Sequence, residues 1–262
     1  MENRTSATRR GQVAETLQVY RNAHRWLVLP IIVILIAFTP FYFLTFPSEP
    51  WAYHLHALPA IAWYLLMITQ PYLATHGKLP SHRKWGMLGL LVAGWVVASG
   101  LIITPTNVYF GQIGGFPPTF PAEFFYGLTF TETLAIIGFA ASVVMAILRS
   151  KVPEEHAVWM LGTVFFGFMP AWLRISIVPI LVFGMDLSMV LIFLFALPFA
   201  AIVLFVGYRL GKLRHPAILL SAALTLGMAS TSYVGGLEWY QEWITNLMKP
   251  MVPWPDTPGQ GD

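Results

Sequence analysis

Long apolar stretches, separated by short polar segments, constrain this chain most. Between Trp26 and Gly77 the only charged residue is Glu49, and other stretches are nearly as free of charge. A bilayer core takes about 20 apolar helical residues to cross, so an interval of this length holds two spans rather than one. The sequence therefore predicts an all-α, polytopic membrane helix bundle.

Glycine, proline and polar clusters divide the chain into seven predicted spans, because such clusters punctuate helices. The predicted spans are 25–46, 51–75, 82–104, 122–148, 156–183, 187–209 and 216–236. Together they form one seven-span transmembrane domain over residues 25–236. The segment from Pro105 to Pro121 is rich in proline, glycine and aromatic residues, and we expect it to be a long loop over the bundle.

Among the connections between the predicted spans, lysine and arginine occur only in alternate ones. They occur in the N-terminal tail and in the second, fourth and sixth loops, whereas the first, third and fifth loops have neither. Short loops that carry these residues stay on the cytoplasmic side of a membrane. We therefore expect the N-terminus inside, residues 1–24 as a cytoplasmic tail, and the C-terminus outside.

An amphipathic segment follows the last predicted span. Its apolar residues share one helical face, with two tryptophans beside it: Leu237, Tyr240, Ile244, Leu247, Trp239 and Trp243. Indole rings favour the headgroup level, so the sequence predicts an outer interfacial helix over residues 237–249. The end of the chain, 250–262, is rich in proline and glycine and is predicted to be a disordered tail.

The composition excludes several classes of protein and partner. The 262 residues include no cysteine, which excludes disulfides, cysteine-ligated iron–sulfur clusters and covalently attached c-type haem. The net charge of +3 comes from the basic loops, so nucleic acid is not an expected partner. The expected partner is the lipid bilayer.

Two charged residues, Glu132 and Arg174, lie inside predicted spans. Such a residue costs at least about 2.5–3.5 kcal/mol in hydrocarbon, so it usually faces the bundle interior and finds a partner. Both lie roughly 15 Å from the outer surface at 1.5 Å per residue. We therefore expect them to form an ion pair, directly or through one water, with His56 lining the same cavity and Tyr233 at a similar level.

The second span carries a polar stripe, since His56, Trp63 and Gln70 recur at steps of seven and share one helical face. Two interpretations of the polar residues within the spans remain open. They are a structural ion pair with hydroxyls that satisfy helix backbones, or they line an outward-facing pocket. The candidate pocket residues are His56, Gln70, Glu132, Arg174 and Tyr233.

Five histidines lie at the cytoplasmic ends of the predicted spans: His24, His76, His82, His156 and His215. None shows a tight ligand spacing such as His-x-x-x-His, so we expect no metal site. We interpret His24 and His215 as interfacial residues that tolerate asparagine. The alternative is that His82 and His156 are ligands of zinc or of haem b.

One combination of motifs resembles a known family. It consists of His56, Gln70, His82-Arg83-x-x-Gly86, His156-x-x-Trp159-Met160 and Arg174. The combination resembles a family of uncharacterised bacterial multi-pass membrane proteins, known as a predicted-membrane domain of unknown function. The resemblance covers roughly residues 50–180 and implies the bacterial plasma (inner) membrane as the location. It implies no reaction.

Three functions fit these features, and whether the protein is an enzyme remains open. The first is a ligand-binding, sensor or transporter-like module, in which Arg174 holds an anionic or carbonyl group of a small amphipathic ligand. Glu132 orients that ligand and His56 exchanges a proton. The second is a membrane redox protein that binds non-covalent haem or quinone. The third is a metal-dependent membrane hydrolase.

Overall fold

The computed structural model describes residues 18–113 and 120–251, and within these ranges the chain is helical without a strand. Seven helices of the described chain are long and apolar enough to cross a membrane, which confirms the predicted bundle. They are α1 Ala23–Phe43, α2 Trp51–Thr75, α3 Leu79–Gln112, α4 Ala122–Leu148, α5 Pro153–Phe183, α6 Leu187–Arg209 and α7 Pro216–Gly235. An eighth helix, α8, spans Glu238–Met248.

Three of the spanning helices depart locally from α-helical geometry. Helix α1 ends in a π-helical turn, Thr39–Phe43, and α6 contains another, Leu191–Ala196. Helix α7 contains a 3₁₀ turn, Met228–Ser230. π-Helical turns are rare and frequently occur at functional sites, so the residues around these two turns are candidates for a functional site.

Helix α3 continues beyond its predicted end, through Pro105 to Gln112. The prediction of a loop from Pro105 is therefore wrong over the first part of that segment. A membrane helix tolerates proline because neighbouring groups satisfy the freed backbone carbonyl. The extension places Asn107 beside Glu132, next to Thr104 at the end of the predicted span. Residues 114–119 of the predicted loop lie outside the described residues.

Helices α2, α3, α4 and α5 pack as consecutive neighbours, and α2 also contacts α5. Short connections between consecutive helices make them antiparallel, as in other helix bundles. Helix α1 packs on α2 and α5, whereas α7 packs on α4, α5 and α6. The interior shared by α2 to α5 is therefore closed by α1 on one side and by α7 on another.

The crossing of α4 and α7 depends on glycine. A Cβ atom on Gly235 would lie 1.8 Å from the carbonyl oxygen of Glu123, and one on Gly127 would lie 2.1 Å from that of Thr231. Small residues allow membrane helices to approach this closely. One turn deeper, the hydroxyls of Thr131 and Thr231 are 2.6 Å apart. This contact fixes the position of α4 beside α7.

Helix α8 follows the last span, and its buried face differs from the predicted one. Tyr240, Ile244 and Met248 are buried against the bundle, whereas Leu247 is 44% exposed. Packing against α3 and α4 selects Met248 in place of Leu247. Trp239 and Trp243 remain exposed beside this face. A 3₁₀ turn, Lys249–Met251, follows, and 252–262 lie outside the described residues, as do 1–17.

The two ends of the bundle differ in charge. We name the basic end for the connections α2–α3, α4–α5 and α6–α7. There Lys212, between α6 and α7, pairs with Glu154 in the first turn of α5 at 2.7 Å. We name the carboxylate end for the connections α1–α2, α3–α4 and α5–α6. It carries Glu49 and Asp186 in connections and Glu123 in the first turn of α4. Which end faces the cytoplasm stays a prediction.

Candidate functional site

Polar side chains from α2, α3, α4 and α5 converge in the carboxylate half of the bundle. We name this group the Arg174 cluster, and its members are Tyr53, His56, Ser99, Thr104, Asn107, Glu132 and Arg174. Ser99 and Thr104 are buried, while the other members are half-buried. The cluster therefore combines fixed hydroxyls with side chains that retain accessible surface.

The guanidinium group of Arg174 is held by one backbone oxygen and two aromatic rings. Its Nη1 donates to the carbonyl of Pro170 at 3.1 Å. Its carbon lies 4.0 Å from the ring centroid of Phe38 and 5.7 Å from that of Phe41, which belongs to the π-helical turn of α1. A guanidinium carries several N–H donors in one plane. The rings cover its face, and its edge keeps donor capacity.

The carboxyl group of Glu132 lacks a full set of partners. Asn107 and Thr104 face it, and Arg174 acts on it electrostatically. Its Oε2 is buried without a hydrogen-bond partner in the described part of the chain. No nitrogen of Arg174 lies within 4.0 Å of it among the described residues, so the expected direct ion pair is not formed. The guanidinium of Arg174 instead lies over the ring of Phe38, away from the Glu132 carboxyl group.

His56 is fixed by a chain of hydrogen bonds on α3. Its Nδ1 lies 3.0 Å from the hydroxyl oxygen of Ser99, and that hydroxyl donates to the carbonyl of Trp95 at 2.7 Å. Because the hydroxyl proton is used on Trp95, Nδ1 is the donor to Ser99 and Nε2 keeps its lone pair. Arg174 also acts on His56 electrostatically. His56 thus belongs to the cluster with a free acceptor.

A second polar group lies at the basic end, and we name it the His82 cluster: Gln70, His82, Gly86 and His156. With the amide of buried Gln70 oriented so that its nitrogen faces the His82 carbonyl, it donates to that carbonyl at 3.1 Å and accepts from the N–H of Gly86 at 3.0 Å. Nδ1 of His82 lies 3.3 Å from the Gln70 carbonyl. Nδ1 of His156 donates to the Ala146 carbonyl at 2.8 Å.

The structure thus divides the predicted pocket residues. His56, Glu132 and Arg174 lie in the Arg174 cluster. Gln70 lies about 21 Å farther along α2, at 1.5 Å per residue, in the His82 cluster. Tyr233 is 72% exposed and joins neither. The 3₁₀ turn that precedes it advances by more degrees per residue than an α-helix, which changes the face on which Tyr233 lies.

Several members of the Arg174 cluster were missed by the sequence analysis. Tyr53 lies three residues before His56, and Thr104 three residues before Asn107, so each pair shares a helical face. Since His56 is a predicted pocket residue, this spacing in the sequence also indicates Tyr53 as one. Asn107 was assigned to a loop because helix α3 was expected to end at Pro105.

Tyr240 of α8 lies at the carboxylate end, where the charge of Glu132 acts on it. Its hydroxyl lies 2.6 Å from that of Thr129 on α4. Burial raises the pKa of Tyr240, and the charge of Glu132 adds a smaller contribution in the same direction. Beside α8 a polar cleft of about 350 Å³ opens, lined by Gln112, Tyr126, Gln241, Glu242, Thr245 and Asn246.

Among the remaining histidines at the basic end, His215 has structural partners. His215 is only 8% exposed, so its interpretation as interfacial is wrong. Its Nδ1 accepts from the N–H of Ala217 at 3.1 Å and caps α7, while Nε2 lies 3.3 Å from Glu155. The rings of His82 and His156 are 6.3 Å apart. Within the described ranges no three histidine or acidic side chains are grouped to hold a metal ion.

Comparison with models of protein families, with curated proteins and with solved structures found no match. The fold and the two clusters define an all-α multi-pass membrane protein.

Proposed function

We propose that the Arg174 cluster binds a small amphipathic molecule with an anionic or carbonyl group, and that the protein is a ligand-binding, sensor or transporter-like module. One observation carries the proposal: Glu132 and Arg174 have opposite charges in one cluster without direct contact, and Oε2 of Glu132 has no partner within the described chain. A structural ion pair would bring the two groups together, because an uncompensated charge in a membrane bundle is costly.

Each side chain of the cluster has a role in this proposal. The edge of the Arg174 guanidinium donates to the polar group of the ligand, since the faces are occupied by Phe38 and Phe41. Glu132 orients the ligand. Nε2 of His56, whose tautomer is set by Ser99, exchanges a proton with it.

The location is part of the same proposal. Lysine and arginine in short loops favour a cytoplasmic basic end, so the ligand enters from the outer side, next to α8. The resemblance of the motifs supports the bacterial inner membrane. A reporter that is active only in the cytoplasm should work when it is joined after Lys212 and fail when it is joined after Met251. The opposite pattern would overturn this orientation.

Thermal unfolding in nanodiscs tests ligand binding. Decanoate supplies an anionic group and decanamide a neutral carbonyl. A probe at about ten times its Kd should raise the Tm of the unmodified protein by about 3–6 °C. The Arg174→Gln variant should lose this response.

Arg209→Gln is the matched control, because Arg209 also lies over a phenylalanine ring but at the end of α6. It should respond like the unmodified protein. The proposal is overturned if neither probe changes the Tm, or if Arg174→Gln responds as strongly as Arg209→Gln.

A further inference from the structure

We infer that the ligand of the Arg174 cluster is an amphipathic zwitterion, with an ammonium group for Glu132 and a carboxylate for Arg174. The inference rests on the proposed function and specifies the chemical class of the ligand. It follows from what each of the two charged groups lacks.

In the described part of the chain, Glu132 and Arg174 lack complementary hydrogen-bond partners: Glu132 lacks a donor at Oε2 and Arg174 lacks a further acceptor at its edge. An ionised carboxylate only accepts hydrogen bonds, and a guanidinium only donates them. Within the described chain, Oε2 of Glu132 is buried without a donor, and the one hydrogen bond that Arg174 makes goes to the backbone of Pro170. A ligand that satisfies both must present a donor and an acceptor at once.

The charge balance of the cluster favours a ligand without net charge. Glu132 and Arg174 together contribute no net charge, and a low dielectric strengthens every interaction between charges. A pure anion would satisfy Arg174 but repel Glu132, whereas a pure cation would do the reverse. A zwitterion forms a charge-assisted hydrogen bond with each group and adds no net charge.

The geometry of Arg174 fixes the approach of the carboxylate. Phe38 lies 4.0 Å from the guanidinium carbon and covers its face, so the ligand must reach the edge, where the N–H donors lie. Asn107 and Thr104 face Glu132 from α3 and leave Oε2 for the ammonium group. The donor and acceptor of the ligand therefore lie between α4 and α5.

Three probes of equal chain length test the inference: 2-aminodecanoate, decanoate and decylamine. Their Kd values are measured by calorimetry on the full-length protein in nanodiscs. We expect 2-aminodecanoate to bind at least about tenfold more tightly than either singly charged probe, which corresponds to one additional charge-assisted hydrogen bond.

The outcomes separate the two proposals. If decanoate binds as tightly as 2-aminodecanoate, the zwitterion inference is overturned while the proposed function stands. If none of the three probes binds, the zwitterion inference is overturned, and the proposed function is overturned with it when decanamide also leaves the Tm unchanged. This comparison uses the unmodified chain, so it does not depend on the folding of a variant.

Two variants on α4 identify the carboxylate that is responsible. Glu132→Gln should abolish the preference for 2-aminodecanoate over decanoate, because a neutral amide no longer attracts ammonium. Glu123→Gln, at the exposed start of the same helix, should keep it. Equal preferences in both variants would overturn the role of Glu132.

Discussion

The His82 cluster and the Arg174 cluster lie at opposite ends of the same four helices, and they differ in how their polar atoms are satisfied. At the basic end, the amide of Gln70 bonds to the backbone of His82 and Gly86, and Nδ1 of His156 bonds to a backbone carbonyl. At the carboxylate end, Glu132 and Arg174 carry charge without direct contact.

The difference distinguishes two uses of polar residues in a membrane bundle. A neutral side chain that bonds to nearby backbone satisfies its own polar atoms and those of the helix. Each such hydrogen bond makes a small net contribution to stability. Charges that remain apart are costly, and they mark binding sites by default. The His82 cluster is therefore part of the framework that joins α2 to α3 and α5 to α4. The Arg174 cluster is the candidate site.

The largest effect is expected where α4 crosses α7, since this contact positions the helix of Glu132. The Cβ of Gly235→Ala would lie 1.8 Å from a backbone oxygen of α4, so the helices must separate. We expect the free energy of unfolding, measured by denaturant titration in mixed micelles, to fall by about 3 kcal/mol.

Gly94→Ala is the control for this crossing, because no atom lies within 4 Å of its added Cβ. Alanine in a helix should leave stability unchanged or raise it by up to about 1 kcal/mol. If Gly94→Ala and Gly235→Ala lowered the free energy of unfolding by similar amounts, the loss would not come from the close approach of α4 and α7.

The next effect tests whether the His82 cluster is structural. Gln70→Met keeps the length of the side chain but removes its hydrogen bonds to the backbone of His82 and Gly86. We expect a loss of about 1–3 kcal/mol in the same titration. Gln112→Met, at an exposed position, should change stability by less than about 0.5 kcal/mol. If Gln70→Met left the free energy of unfolding unchanged, the His82 cluster would not be structural, and the two clusters would no longer differ in that respect.

Glu132→Gln should have a smaller effect on stability than Gln70→Met, although it removes a charge. The amide has the same shape and breaks no direct contact with Arg174, so we expect a change of less than about 1 kcal/mol. Breaking a direct buried pair typically costs about 3–5 kcal/mol. A loss of that size would show that Glu132 and Arg174 are directly paired in the membrane.

Most of the fold could be predicted from the sequence, because hydropathy and charge determine which segments span a bilayer. The exception is instructive. Proline and glycine predicted a loop from Pro105, but α3 continues to Gln112. Proline ends most helices in water, whereas in a membrane the surrounding helices compensate for the lost hydrogen bond.

The candidate site could be predicted only in part. Depth along the helices brought Glu132, Arg174 and His56 together, because 1.5 Å per residue is a reliable measure. The same measure places Gln70 about 21 Å from His56, although the two share a helical face, so depth argues against Gln70 as a pocket residue. Neither depth nor periodicity reveals its partners, His82 and Gly86. Tyr233 follows a 3₁₀ turn, and a regular helical projection gives it the wrong face.

The last effect concerns α8, which is joined to α4 at the carboxylate end through Tyr240 and Thr129. Burial raises the pKa of this phenol, so the folded state favours its neutral form. Its contribution to stability is complete below the unfolded pKa of about 10 and is lost as the pH rises through the folded pKa. The Tm of the unmodified protein should therefore fall more steeply above about pH 10 than that of Tyr240→Phe.

At neutral pH the same variant should lose about 1 kcal/mol, because Thr129 no longer has the hydroxyl 2.6 Å away as a partner. Tyr233→Phe, which removes a hydroxyl from a side chain that is 72% exposed, is the control and should follow the unmodified protein at every pH. If the Tm of Tyr240→Phe fell as steeply above pH 10 as that of the unmodified protein, the phenol would not be buried in the membrane-embedded protein. Helix α8 would then lie apart from the bundle and leave the Arg174 cluster open at the carboxylate end.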